Sequence, residues 1–161
     1  MILILMGVSG CGKTTIGKLL SCELGWEFHD GDDFHPVANV EKMKSGIPLN
    51  DEDRKPWLLT IREFMLKCIA GNKSVIIACS ALKNSYREML LAGHEQVAFI
   101  HLKGNKDLIA QRLQERKGHF MNPKLLDSQF NTLEEPTGAI TIEVAESPEK
   151  IAAQIRQQLS I

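Results

Sequence analysis

The chain is short of charge of one sign, of close cysteine pairs and of long apolar runs. Its 161 residues carry 19 basic against 20 acidic side chains, a net charge of −1. That balance argues against a general nucleic-acid or anionic-membrane binder, although a local basic pocket stays open. No apolar stretch reaches the length of a membrane span. Met1 leads into a strand-like run with no basic leader region or cleavage site, so the expectation is a cytoplasmic protein. Four cysteines (Cys11, Cys22, Cys68, Cys79) form no close pair and no zinc-type spacing, and they read as free thiols. The length suits one domain with a sizeable core.

What is present is alternation. Short apolar runs at 2–6, 26–30, 74–79, 97–102 and 139–144 predict five strands. Longer amphipathic stretches at 13–24, about 50–70, 84–92, 105–117 and 148–159 predict helices between them. Gly25 suits a helix end, Asn50 a helix start followed by three acidic residues, and Pro148 the opening of the last helix. This order argues for an α/β fold, a five-stranded parallel sheet with helices on both faces, making three layers. Two polar segments, 31–49 and 117–137, exceed what such a sheet needs. They read as a substrate flap and a lid within one domain, 1–161.

The first turn carries the strongest motif. Gly7, Val8, Ser9, Gly10, Cys11, Gly12, Lys13 and Thr14 match G-x-x-x-x-G-K-[ST] between a strand and a helix, with Thr15 directly after. Glycines there let successive N–H groups point at phosphate oxygens, and the helix N-terminus adds positive charge. Lys13 can reach the β- and γ-phosphates and Thr14 can ligate Mg²⁺, so ATP and Mg²⁺ are the expected cosubstrate and ion. Cys11, among inward-facing amides, is expected to be the most reactive thiol.

A phosphate loop alone does not separate a kinase from a nucleotide switch. A guanine-reading N-K-x-D is lacking: in Asn105-Lys106-Asp107 the aspartate comes one residue early, and Asn105 reads better as a helix cap. A kinase needs acidic groups near the attacking hydroxyl. Asp30 and Asp32 end the second strand, where a parallel sheet binds ligands. One could hold the Mg²⁺ shell and the other take the hydroxyl proton. Arg112 and Arg116 stand one helical turn apart, one suited to adenine and the other to the phosphates. His35, Asn50, Arg54, Lys83, Tyr86 and Arg87 supply cations and hydrogen-bonding groups for a small polar or anionic acceptor.

The stretches "GVSGCGKTTIG", "DGDDFHP", "NDEDRKPWL", "CSALKNSYRE", "RKGHFM" and "SQFNTLEEP" together resemble the bacterial gluconate kinases, of the nucleoside-monophosphate-kinase-like P-loop group. The resemblance spans Met6 to about Pro136. It implies a P-loop kinase fold and transfer of the ATP γ-phosphoryl to the 6-hydroxyl of D-gluconate. It also implies a homodimer. By similarity the glycine loop from Gly7 through Thr15 carries the nucleotide, and Asp30 and Asp32 match the carboxylates at the end of the second strand; from their chemistry Lys13, Asp32 and Arg116 are expected to be catalytic. Thr14 and Asp30 then fall to the metal, Arg54 and Arg87 match acceptor-side arginines, and 117–136 matches the lid. A kinase of another small acceptor, such as shikimate or a nucleoside monophosphate, stays open beside it, as does a slow nucleotide-dependent switch.

Overall fold

The structure, a computed structural model, describes residues 1–91, 93–115 and 123–161. Strand β1 (Ile2–Met6) is buried along its whole length. It lies at the centre of a five-stranded sheet with β2 (Glu27–Asp30), β3 (Val75–Ala78), β4 (Val97–Lys103) and β5 (Ile140–Glu143), in the order β2-β3-β1-β4-β5. Every pairing is parallel. A central parallel strand is covered on both faces, which is why "ILILM" shows no polar alternation.

The period of two along β1 divides the core. Leu3 and Leu5 face one side, with Ile16 and Leu20 of α1 (Lys13–Leu24). Ile109 and Leu113 of α5 (Lys106–Glu115) and Ile151 and Ile155 of α7 (Pro148–Leu159) join that layer. Ile2, Ile4 and Met6 face the other side, where Trp57, Leu58, Ile61 and Met65 of α3 (Asp51–Ala70) and Leu90 of α4 (Asn84–Leu91) cover them. The three-layer α/β architecture agrees with the sequence reading.

The predicted helix boundaries also have physical causes. Asn50 Oδ1 accepts from the Asp53 amide at 2.8 Å, and the Asp53 carboxylate accepts from the Asn50 amide at 3.1 Å. This reciprocal pair satisfies two amides that a helix start leaves free. Asn105 accepts from the Leu108 amide at 2.8 Å, so the apparent nucleotide-reading triplet is a helix cap.

Both polar segments contain helices that the sequence reading treated as irregular. A 3₁₀ turn (Gly31–Phe34) leads into α2 (Val37–Lys44), and α6 (Pro123–Thr132) occupies the second segment. Asn39 is the buried residue of α2, a polar anchor that leaves no apolar stripe to read. Helix α6 seats Leu126 in the core at 3 % exposure, with Phe130 and Leu133 packed nearby. Residues 123–133 of the expected lid are therefore tied to the body of the protein. Arg116 and the stretch 117–122 of that lid lie outside the described residues.

Candidate active site

The phosphate loop is built mainly of backbone. Gly7, Gly10 and Gly12 all have positive φ, at 138°, 83° and 102°. At Gly7 a Cβ would meet the Leu102 carbonyl oxygen at 2.7 Å, and at Gly10 it would meet Leu113 Cγ at 2.8 Å. Neither position admits a side chain, in conformation or in space. Lys13 folds back over the loop, its Nζ donating to the carbonyls of Gly7 at 2.9 Å and Val8 at 3.0 Å. An ammonium has three donors, so Lys13 can hold the loop and still offer charge to a phosphate. The Ser9 amide donates to Gln129 Oε1 at 2.7 Å, and Gln129 Nε2 donates to Ser9 Oγ at 3.1 Å. Helix α6 thereby grips the loop, a contact the sequence reading missed. Its signal was the helical spacing Leu126, Phe130, Leu133 in a segment rich in loop formers.

Cys11 corrects an expectation. Its side chain is buried at 1 % exposure, and Lys13 Nζ lies 3.9 Å from its sulfur. The exposed thiol is Cys22. Low access outweighs the favourable helix terminus, because a thiol reacts only where a reagent can reach it.

Beside the loop is a cavity of ≈ 260 Å³, lined by Gly10, Gly12, Thr15, Arg112, Glu146 and Pro148 among others. Arg112 is held there by a bond from its Nη2 to the Val144 carbonyl. Glu146 comes from the turn after β5 and Pro148 opens α7, a segment from which the sequence reading drew no site residue. They carry no motif, and only the sheet order brings that turn to the loop.

Across the loop lies the end of β2. Thr14 Oγ1 is 3.4 Å from Asp30 Oδ2, so the two residues expected at the metal are together. Asp30 also accepts from the Asp32 amide at 3.1 Å, capping the 3₁₀ turn that carries Asp32. The Asp32 side chain opens to solvent by area, at 84 %. Surrounding protein atoms, with Asp30 alongside, push its carboxyl above the ordinary value, an effect that the solvent exposure screens. A raised carboxyl at a ligand-binding sheet edge suits a proton acceptor.

His35 is buried against Trp57, the rings 4.3 Å apart and 17° from parallel. Its Nε2 lies 3.9 Å from Asp32 Oδ1, and burial holds the imidazole below its ordinary value. Trp57 Nε1 donates to the Gly31 carbonyl at 2.7 Å. That bond ties α3 to the turn carrying Asp32, so Trp57, open to a pure packing role on sequence alone, does more than pack.

The acceptor-side cations part company. Arg54 Nη1 donates to the Leu49 carbonyl at 2.6 Å, and its guanidinium stands 6.0 Å from the Tyr86 ring centroid. Lys83 contacts Asp51 at 2.9 and 3.0 Å, and the Tyr86 hydroxyl donates to the same carboxylate. These bonds hold the Asp51 carboxyl below its ordinary value. Arg54 and Lys83 therefore share one patch around Tyr86, with the Arg54 charge also acting on His35. Arg87 does not join it. It is buried, and its guanidinium donates to the carbonyls of Ala81 at 2.9 Å, Leu82 at 3.0 Å and Glu134 at 3.0 Å. Those bonds clamp the turn after β3 to the segment after α6. Arg87 is a strut in this structure, buried and committed by three of its five donors to backbone carbonyls.

A glycine loop facing a raised carboxylate, with a cation patch beyond it and a cavity behind, can transfer a phosphoryl group between a nucleotide and a small polar acceptor. That is the class of the protein: a P-loop small-molecule kinase. Comparison with known proteins narrows the class. The shikimate kinase family pattern matches residues 9–160. The thermoresistant gluconokinase of Escherichia coli (strain K12) is 44 % identical, over 94 % of this chain and 89 % of its own. A gluconokinase structure from Sinorhizobium meliloti 1021 is similar at a TM-score of 0.84 and 37 % identity, covering 98 % of this chain and 94 % of that one. A sugar kinase structure from Janibacter sp. HTCC2649 reaches a TM-score of 0.91 at 42 % identity, over 99 % and 94 %. The chain belongs to the gluconokinase family.

Among the described residues no helix is long and apolar enough to cross a membrane.

Proposed function

We propose that the protein transfers the γ-phosphoryl group of ATP to the 6-hydroxyl of D-gluconate, giving 6-phospho-D-gluconate and ADP. The observation that carries this reading is a juxtaposition at the sheet edge: Asp30 lies 3.4 Å from Thr14 of the phosphate loop, and it accepts from the amide of Asp32, whose carboxylate stands 3.9 Å from His35. The loop amides and Lys13 bind and stabilise the β- and γ-phosphates. Adenine takes the cavity beside Arg112. Gluconate lies over Asp32 and His35, its carboxylate toward Arg54 and Lys83. The hydroxyl oxygen forms the new bond to phosphorus, the bond to the ADP oxygen breaks, and the hydroxyl proton passes to Asp32.

The Thr14 hydroxyl and the Asp30 carboxylate, 3.4 Å apart beside the loop, are oxygen ligands of the kind Mg²⁺ takes. Bound there, Mg²⁺ would neutralise phosphate charge. Arg116 completes the reading as a lid residue reaching the phosphates. We place the enzyme in the cytoplasm, and we take it as a homodimer in line with the family resemblance.

The test is ADP release with ATP and Mg²⁺ against gluconate, other sugar acids, neutral sugars, shikimate and nucleoside monophosphates. Gluconate is expected to give the highest kcat/KM by at least tenfold. Faster turnover of shikimate or a nucleoside monophosphate would overturn the reading.

A further inference from the structure

The flap helix α2 is anchored by a polar side chain, and its bonds point into the site. Asn39 is 3 % exposed. Its Nδ2 donates to the Asp53 carbonyl at 2.7 Å. A carbonyl cannot donate, so this bond fixes which end of the amide is nitrogen. The same Nδ2 lies 3.2 Å from His35 Nδ1. An NH₂ group facing a ring nitrogen needs that nitrogen as acceptor. Nδ1 therefore carries the lone pair, and the ring hydrogen rides on Nε2. The Trp57 stack holds the plane of the ring. Burial, with Arg54 nearby, favours the neutral imidazole against the pull of Asp32.

Nε2 then points its hydrogen toward Asp32 Oδ1 across 3.9 Å. That gap is too long for a direct hydrogen bond, yet one oxygen atom can sit about 2.8 Å from both groups.

We infer that Asn39 is a positioning residue that sets His35 as an Nε2–H donor, so that His35 and Asp32 together grip the acceptor hydroxyl. His35 donates to the hydroxyl oxygen and Asp32 accepts its hydrogen. The inference rests on the proposed reading for the roles of Asp32 and the hydroxyl. The pair demands a group that donates and accepts at once, which a hydroxyl does and an ether or a methylene does not. During transfer the hydroxyl proton moves to Asp32, while His35 keeps its own hydrogen and leaves a lone pair aimed at phosphorus.

The experiment is nitrogen-15 NMR of the His35 ring in the full chain, which distinguishes the two neutral tautomers without any substrate. The wild-type ring is expected as Nε2–H. Asn39→Asp keeps the size and exchanges a donor for an acceptor, so the ring is expected to move to Nδ1–H. That variant should lose ten- to a hundredfold in kcat with gluconate while ATP affinity stays within twofold, because only orientation is disturbed. In a His35→Phe background the same change should cost less than twofold further. An Nδ1–H ring in the wild type overturns the inference, and this measurement decides even if the variant does not fold. A ring that switches tautomer with kcat unchanged overturns it as well. An Nε2–H ring in a protein that does not turn over gluconate supports the Asn39 assignment and overturns the proposed function instead.

Discussion

The two ends of the cleft are made of different materials. The donor end is backbone: glycines at positive φ, inward amides, and a lysine folded over two carbonyls. The acceptor end is side chains in series: Trp57 on the Gly31 carbonyl, His35 on Trp57, and Asn39 between His35 and the Asp53 carbonyl. Backbone amides recognise phosphate charge and shape whatever molecule bears them. Side chains choose among acceptors by where each donor and acceptor points. One end of the protein is thus generic and the other particular.

The most damaging way to break the contrast is Lys13→Ala. It removes charge where the transition state develops it, and phosphoryl transfer should fall by about 3–4 kcal/mol, or several hundredfold. The fold should survive, since the core lies beneath the loop; steady-state kinetics beside a thermal melt checks both. A well-folded variant within a few fold of wild type would remove Lys13 from the chemistry.

Trp57→Phe sharpens the contrast from the other end. It keeps an aromatic ring and leaves the Gly31 carbonyl without its buried partner, a loss of about 1–3 kcal/mol. Stability by urea titration should drop by that order. The gluconate KM should rise while direct titration finds ATP affinity unchanged. Equal weakening of both ligands would mean that the two ends are mechanically one.

The smallest effect concerns protons at the donor floor. His101 pairs with Met6 at the end of β1 and is buried, with its Nδ1 lacking a hydrogen-bond partner and Glu135 3.8 Å away. Burial holds its pKa below the ordinary 6.5. Below 6.5 the unfolded chain then binds a proton that the folded chain refuses, so folding stability falls as pH drops from there toward the lower folded value. The slope from one such group is at most about 1.4 kcal/mol per pH unit. Urea midpoints between pH 7.5 and 5.5 should decline less steeply in His101→Leu than in wild type. Parallel curves would show that Glu135 cancels the burial.

The contrast also explains what could be read in the chain. The donor end follows from local spacing: a strand, a glycine loop, Lys13 and Thr14 lie within a dozen residues, and their geometry follows from their order. The five strands and most helix ends are local in the same way, as the Asn50 and Asn105 caps show. Asp30 and Asp32 were legible because a parallel sheet puts strand ends at its ligand edge. Arg87 stands apart from the patch because, besides the nearby carbonyls of Ala81 and Leu82, it reaches the Glu134 carbonyl 47 positions on, a proximity no local pattern reveals. Asn39 was missed because a buried asparagine leaves no apolar period, and Trp57 could not be told from an ordinary core aromatic. Glu146 and Gln129 reach the site only through sheet order and helix docking.

The grip of Gln129 on Ser9 has a consequence for how the protein is made. The glycine loop leaves the ribosome well before the partner of its Ser9 amide, which lies 120 positions later. Strand β1 waits too, since its neighbours β3 and β4 begin at Val75 and Val97. The wall of the cavity beside the loop, at Glu146 and Pro148, follows later still. Until Gln129 and Glu146 have emerged, the nascent chain carries a complete motif and no finished site, so nucleotide binding can assist folding only once those segments are free to close.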